Sequence, residues 1–125
     1  MDKPQNRQAR SNSPKLSLGL KESEVKKLII EYLRAKQVFC WVNHSTGIYD
    51  PKRGVFRKRS GVGAINGVSD ILGIYKGRLF AIEVKSEKGR PTLEQVVFIQ
   101  DVRRHGGIAF VAKNLSDVDR ELLSI

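Results

Sequence analysis

The chain is poor in the residue types that build disulfides and zinc sites. Its 125 residues include one cysteine and two histidines. Cys40 has no partner for a disulfide within the chain and lies in an apolar run, which favours a reducing, intracellular setting and a small core residue. Two histidines with one distant cysteine do not make a zinc site.

Long hydrophobic runs are also lacking. No segment approaches the roughly 20 apolar residues that span a bilayer, and the N-terminal region has no apolar stretch typical of a signal peptide. None of the 11 glycines falls in P-loop spacing, so no nucleotide energy source is expected. We expect a cytoplasmic protein (in the host cytoplasm if it is viral) with no membrane partner.

Negative charge is scarce relative to positive charge. The chain has 13 acidic and 23 basic residues, a formal net charge of +10, and the basic excess lies within residues 1–90. A polyanion, most simply nucleic acid, is the natural partner of such a surface. The alternative is a basic surface that serves only to keep the protein in solution.

The length fits one domain preceded by a polar arm. Residues 1–19 are basic, rich in Pro, Asn, Gln and Ser and poor in large apolar side chains, which predicts a disordered basic arm. Residues 20–125 are predicted to form a single domain. Hydrophobic patterns and turn residues predict the following elements there: a helix over 21–36, a strand from Val38, a hairpin turning at Lys76-Gly77, a helix from Thr92 to His105, a strand Ile108–Ala112 and a short helix from Ser116 to near Leu123.

These elements predict an α/β fold, because strands lie on both sides of a helix in the sequence. Thr92 and Gln95 have capping-box spacing at the start of the second helix. Trp41 is expected in the core. The basic, glycine-rich stretch 51–67 is expected to form a β-hairpin or a mobile loop.

The strand "RLFAIEVK", residues 78–85, ends in two charges on one face. Glu83 and Lys85 alternate with apolar residues, so both point to the same side of the strand. A turn at Lys76-Gly77 places residue i opposite about residue 153 minus i. Asp70 then lies opposite about Glu83, and two carboxylates that close repel unless a cation compensates them.

A divalent cation between these carboxylates suits Mg²⁺, which binds a few carboxylate oxygens with water and phosphate oxygens. The backbone carbonyl of Val84 is a further candidate ligand. Lys85 is placed to orient an attacking water or to stabilise charge on a phosphate. The alternative is that Glu83 and Lys85 are ordinary solvent-facing residues and Asp70 a turn residue. The joint pattern on a basic protein favours metal-dependent phosphodiester hydrolysis.

The pattern Asp70…Glu83-Val84-Lys85 resembles the D…(D/E)-x-K signature of the PD-(D/E)XK nuclease superfamily. More narrowly, "GVSDILGIYKGRLFAIEVKSEKGRPTLEQVVFIQDVRRHGGIAFVA", residues 67–112, is similar to the virus-type replication-repair nuclease (VRR-NUC) family. Residues 22–47 resemble it more loosely. Ser69 stands where the superfamily has Pro, a departure that this family often shows.

The resemblance implies a restriction-endonuclease-like core of αβββαβ order and a Mg²⁺ or Mn²⁺ cofactor. Asp70 and Glu83 would be metal ligands and Lys85 the catalytic lysine. Gln95 would hold that lysine or a substrate phosphate. An acid on the first helix usually completes the site, and Glu22 is the first candidate, with Glu24 as the alternative.

Several residues outside this cluster are candidate DNA contacts. Asn43 and His44 lie in the loop "NHSTG". The basic segment that follows suits salt-sensitive, sequence-independent phosphate contacts, through Lys52, Arg53, Arg57, Lys58 and Arg59. A solvated charged loop is the alternative for this segment.

Stand-alone members of the resembled family imply a homodimer that cuts branched DNA such as four-way junctions. Symmetric cuts in two strands need two metal sites, which a dimer of small domains supplies. Two alternatives stay open: a non-catalytic DNA-binding module of the same fold, and an RNA-directed nuclease.

Overall fold

A computed structural model describes residues 19–44, 48–57 and 61–125. All but the last residue of the predicted basic arm lies outside this part of the chain. The described residues form a mixed α/β structure in which a four-stranded sheet is flanked by helices. Nowhere in these ranges is a helix both long and apolar enough to cross a membrane.

Along the chain, one helix is followed by five strands, a second helix, a sixth strand and a short last helix. They are α1 (Glu22–Ala35), β1 (Phe39–Val42), β2 (Ile48–Asp50), β3 (Val55–Arg57), β4 (Ile71–Tyr75), β5 (Arg78–Val84), α2 (Leu93–Arg104), β6 (Ile108–Ala112) and α3 (Leu115–Val118), which continues as a π-helical turn, Asp119–Leu123. The main sheet has the order β1-β4-β5-β6, with β6 parallel to β5 and the other neighbours antiparallel. β2 and β3 form a separate hairpin, of which only the turn and the second strand lie within the stretch 51–67 where a hairpin or a loop was expected.

Local rules account for most element boundaries. The Glu24 side chain accepts a hydrogen bond from the Lys21 backbone N–H at 2.9 Å and so closes the start of α1. Thr92 and Gln95 form the predicted capping box at α2: each side chain accepts from the other's backbone N–H, at 3.2 and 2.8 Å. Lys76 and Gly77 have φ of 52° and 80°, the left-handed pair that a two-residue hairpin turn requires.

The last helix begins one residue earlier than predicted. The Asn114 side chain accepts a hydrogen bond from the Asp117 backbone N–H at 2.9 Å, so Asn114 is the N-cap and Leu115 the first helical residue. Asn caps a helix at least as well as Ser does. The predicted end near Leu123 is confirmed, although the second half is π-helical.

The sheet buries a different set of side chains on each face. One face packs against α1 and the C-terminal helical segment, burying these residues: Val25, Ile29, Leu33, Phe80, Ile82, Val84, Val118 and Leu122. The other face packs against α2, burying Ala81, Ala109, Ile99 and Val102. The two faces follow from the alternation along β5, because successive side chains point to opposite sides. Glu83 shares the α2 face with Ala81.

The expected burial of Trp41 is wrong, because 39% of its surface is exposed. β1 is an edge strand, and only one of its faces is covered by α1. Cys40 points into that core, whereas Phe39 and Trp41 point to the other side, where α2 packs over β5 and β6 instead. The two rings contact one another with centroids 5.4 Å apart.

Phe39, Ile74 and Leu79 are paired across adjacent strands and are 68%, 41% and 40% exposed. We call these three residues the apolar row.

Candidate active site

The β4–β5 hairpin brings the two predicted carboxylates together. Ile71 pairs with Ile82 and Leu72 with Ala81, and every pair in the hairpin sums to 153. The predicted register is therefore confirmed. Asp70, one residue before β4, comes next on the ladder and lies beside Glu83, near the end of β5.

Two hydrogen bonds fix Asp70, and a lysine ammonium lies near it. Its Oδ2 atom accepts a hydrogen bond from the Val84 backbone N–H at 2.8 Å. Its Oδ1 atom lies 4.0 Å from the Nζ atom of Lys26, on α1. Its backbone carbonyl accepts from the Asn43 backbone N–H at 2.8 Å. Strand β5, helix α1 and the residue that follows β1 thus all lie next to Asp70.

Glu83 is a buried acid with an incomplete set of partners. The residue is 1% exposed, and its Oε2 atom lies 3.5 Å from the Lys85 Nζ atom. Its Oε1 atom is buried and, among the described residues, has no hydrogen-bond partner. Such atoms are rare in folded proteins because an unpaired buried oxygen loses its hydration without compensation.

The surroundings of Glu83 oppose its ionisation in the absence of a metal. Burial, followed by the negative charge of Asp70, raises the pKa of Glu83 to about 8, although the Lys85 ammonium acts in the opposite direction. Glu83 therefore keeps its proton at neutral pH when no other cation is present. A perturbed carboxyl next to a second acid and a lysine is typical of functional sites.

Lys85 leaves β5 at the point where the neighbouring strand supports it. Its backbone N–H donates to the Ala112 carbonyl, at the end of β6, at 3.1 Å. Its side chain is only 12% exposed, so the ammonium is held beside Glu83 rather than in open solvent. Asp70, Glu83 and Lys85 are therefore grouped at one end of the sheet, as the alternation along β5 predicted.

The loop before Asp70 packs closely on the first turn of α2. Gly67 has φ of +78°, and a Cβ atom there would lie 2.3 Å from the Glu94 carbonyl oxygen. Only glycine tolerates both the left-handed backbone and this approach. Gln95 lies in the same turn, but its side-chain oxygen is engaged by the Thr92 N–H. The structure thus shows a capping role for Gln95, while its proposed contact with Lys85 or phosphate stays a prediction.

The first helix does not bring an acid into contact with the carboxylate pair. The Glu24 carboxylate closes the helix start through Lys21, and Glu22 is exposed in the first turn. Among the described ion pairs, the one from α1 to the site is made by Lys26. The involvement of Glu22 or Glu24 therefore stays a prediction.

The oxygen donors at this site suit one hard cation that needs only two protein carboxylates. Within the described ranges, no group of three or more His, Cys, Asp and Glu side chains could hold a metal ion. Asp70 and Glu83 supply two carboxylates, and Mg²⁺ commonly uses only one or two, with water and phosphate completing its octahedron. The buried Oε1 atom of Glu83 makes no hydrogen bond with the described residues and is therefore available as a metal ligand. These residues therefore fit Mg²⁺ or Mn²⁺.

The predicted DNA contacts divide into those near the carboxylates and those on the hairpin. Asn43 is half-buried and hydrogen-bonded to Asp70 through its backbone, and His44 follows it on the surface. Lys52 and Arg53 are exposed in the turn between β2 and β3. These positions are compatible with DNA contact, which stays a prediction.

The remaining basic positions of this segment are Arg57, Lys58 and Arg59. Arg57 is the last residue of β3, of which only the backbone is described. Lys58 and Arg59 lie outside the described residues.

Two residues of the site were not selected from the sequence as part of it. Lys26 lies one helical turn after Glu22, and the only signal for it was the shared helix face. Ser69 is fully buried and, among the described residues, its hydroxyl has no hydrogen-bond partner. A serine beside an acid is too common to have indicated this from sequence.

Comparison with known proteins adds no family to this geometry. A scan of the chain against protein-family models finds no matching family, and a search of curated proteins finds no relative. What stands is a mixed α/β structure with a four-stranded sheet flanked by helices, carrying two apposed carboxylates and a shielded lysine at one end of that sheet.

Proposed function

We propose that the protein is a Mg²⁺- or Mn²⁺-dependent DNA endonuclease, with a restriction-endonuclease-like core of the PD-(D/E)XK superfamily and a relationship to its VRR-NUC family. The observation that carries the proposal is the buried, unpartnered Oε1 atom of Glu83 beside Asp70 and Lys85. In a purely structural role the ionised form of this desolvated carboxyl would lack compensation, whereas a bound cation supplies it. The skeleton α1-β1-β4-β5-α2-β6 also has the αβββαβ order that the superfamily resemblance implies.

Asp70, Glu83 and the backbone carbonyl of Val84 would hold the metal. When bound, the metal supplies Lewis acidity toward a phosphate oxygen and makes a bound water more acidic. Asp70 is suited to its role because the Val84 N–H fixes one of its oxygens. Glu83 must release its proton to act as a ligand, and the nearby Lys85 ammonium favours that ionised form.

Lys85 would act on the reacting phosphate or on the attacking water. Its ammonium has three donors, lies 3.5 Å from Glu83 Oε2 and is largely shielded from solvent. Charge that develops on a phosphate oxygen is stabilised more strongly by such a preorganised donor than by bulk water. The same ammonium can orient a water by hydrogen bonding.

The net charge of +10 supports DNA as the substrate class. Exposed Lys52 and Arg53 in the β2–β3 turn, together with Asn43 and His44 near the site, would contact the backbone. Such contacts are salt-dependent and insensitive to sequence. Selectivity for branched DNA would then arise from shape.

A substrate panel tests the proposal directly. Four-way junction, flap, single-stranded and duplex DNA, with matched RNA, are incubated with Mg²⁺, Mn²⁺ or EDTA. We expect cleavage of a branched DNA with either metal and none in EDTA. Binding without cleavage in all conditions would favour the non-catalytic module, and selective cleavage of RNA would favour the RNA-directed nuclease.

Gln95 and Thr92 provide a matched test of the proposed role of Gln95. Both side chains belong to the same capping box, so Gln95→Ala and Thr92→Ala should each lower the free energy of unfolding by about 1 kcal/mol. If Gln95 also holds Lys85 or a phosphate, Gln95→Ala should reduce the cleavage rate by about tenfold or more relative to Thr92→Ala. Equal activities of the two variants would restrict Gln95 to capping.

We further propose that the active form is a homodimer. The apolar row of Phe39, Ile74 and Leu79 is exposed across three strands, and contiguous exposed apolar residues often mark an interface. A second copy fits because symmetric cleavage of two strands requires two sites.

Sedimentation measures this directly. We expect twice the chain mass for the wild type and for Val62→Lys, an exposed apolar control outside the row. Phe39→Lys, at the most exposed position of the row, should sediment as a monomer. A monomeric wild type, or a dimeric Phe39→Lys variant, would contradict the proposed interface.

An intracellular location also belongs to this proposal. Cys40 is buried and free, and burial raises the pKa of its thiol, so it stays a protonated, unreactive core residue. A reducing intracellular compartment suits this free cysteine, and such a compartment also contains the proposed nucleic-acid substrate.

A further inference from the structure

Helix α1 presents a cation to the carboxylate pair. Lys26 Nζ lies 4.0 Å from Asp70 Oδ1, close enough for electrostatic attraction and too long for a hydrogen bond. The three ammonium donors are therefore not engaged by Asp70. About a third of the Lys26 side chain is exposed, so an incoming anion can reach it.

The two lysines flank the two carboxylates from different elements. Lys85, directly after β5, lies beside Glu83, and Lys26, on α1, lies beside Asp70. Two-metal sites place their ions about 3.5–4 Å apart, and a second ion next to Asp70 would meet the Lys26 ammonium. It would also need further oxygen ligands, whereas the acids of α1 are engaged in capping or exposed.

We propose that Lys26 is a substrate-binding residue that donates a hydrogen bond to a phosphate oxygen of the DNA backbone, and that the site holds one divalent ion per chain. The Lys26 ammonium thus supplies the positive charge that a second metal ion would otherwise bring to the phosphate. This inference rests on the proposed nuclease function. Lysine suits this role because its flexible side chain lets the ammonium adjust to the position of a phosphate oxygen while remaining near Asp70.

The test compares Lys26→Gln with Lys27→Gln in the full chain. Lys27 is the adjacent, exposed residue on the same helix, so both variants lose the same charge. Affinity for a fluorescent four-way junction is measured in EDTA over a range of salt concentrations. We expect Lys26→Gln to bind about tenfold more weakly than Lys27→Gln, with a salt-dependence slope that is smaller by about one. Lys26→Arg should retain most of the affinity.

Metal stoichiometry is the second readout. Calorimetric titration with Mn²⁺ in the absence of DNA should give one ion per chain for the wild type and for Lys26→Gln, with no loss of affinity in the variant. Equal DNA affinities and salt slopes of the two glutamine variants would overturn the phosphate contact, and two Mn²⁺ ions per wild-type chain would overturn the single-ion site.

These outcomes are separable from failure of the proposed function. A wild type that binds no Mn²⁺ and cleaves nothing overturns the nuclease, whereas the DNA contact of Lys26 is measured without metal. Urea unfolding of both glutamine variants identifies a merely structural effect. If the weaker DNA binding of Lys26→Gln were matched by a loss of folded protein, the contact would be overturned as well.

Discussion

Glu83→Gln should abolish metal-dependent cleavage, with a loss of at least about 10²–10³-fold in rate. The substitution keeps the shape of the side chain but replaces a carboxylate oxygen with an amide, so the metal loses a charged ligand. Cleavage of the best DNA substrate from the panel is measured with saturating Mg²⁺ and Mn²⁺. DNA affinity in EDTA should change little, because Glu83 is buried and does not face the polyanion as a surface charge.

The matched control is Glu87→Gln, an exposed acid in the loop that follows Lys85. This variant should retain wild-type activity. Lys85→Ala should be as inactive as Glu83→Gln yet should still bind Mn²⁺, since the lysine is not a ligand. Full activity of either site variant would sink the assignment of this cluster as the active site.

The metal-free protein should lose stability as the pH rises from about 4.5 to about 8. Below this interval Glu83 carries a proton in both the folded and the unfolded state, and its contribution is fully present. Above the ordinary pKa of 4.5 the unfolded chain releases the proton while the folded protein retains it, up to a pKa of about 8. The unfolded state then binds fewer protons, so the free energy of unfolding falls with pH. The loss is on the order of a few kcal/mol.

Urea unfolding in EDTA at pH 5 and pH 8.5 measures this loss. Glu83→Gln cannot titrate, so the stability of this variant should depend less steeply on pH and should exceed that of the wild type at pH 8.5. Glu31→Gln, an exposed substitution on α1, controls for the general effect of removing an acid. Parallel pH profiles for the wild type and Glu83→Gln would contradict the protonated state of Glu83.

The affinity for a divalent metal should depend on pH in the opposite direction to the stability of the metal-free protein. A bound divalent ion favours ionised Glu83, so Mn²⁺ affinity should increase with pH up to about 8, with a proton released on binding. Titration in two buffers of different ionisation enthalpy measures that proton. In Glu83→Gln the release should disappear.

The elements governed by local rules were predicted well. The capping box of Thr92 and Gln95 and the turn at Lys76-Gly77 depend on interactions within three or four residues. The hairpin register followed from that turn, because a two-residue loop leaves only one alignment of the flanking strands. Asp70 could therefore be placed beside Glu83 without knowledge of the tertiary structure.

The misplaced residue, Trp41, lies where the packing of a helix over a strand decides burial. Trp41 alternates with Cys40 on β1, and the sequence pattern does not tell which side of an edge strand a helix covers. The position of Lys26 beside Asp70 is likewise decided by the packing of α1 on the sheet. Helix rotation about its axis is set by Val25, Ile29 and Leu33 in the core, and it brings Lys26 rather than Glu22 into the ion pair with Asp70.

By itself, the sequence determined the boundaries of α1 and α2, the β4–β5 register and the grouping of Asp70, Glu83 and Lys85, because each depends on backbone geometry over a short span. Only the tertiary structure decided that Glu83 is almost fully buried with one oxygen unpartnered, and that a second lysine faces Asp70. Burial and charge environment are sums over several elements packed together. They turn an acid on a strand into a carboxyl with a pKa of about 8.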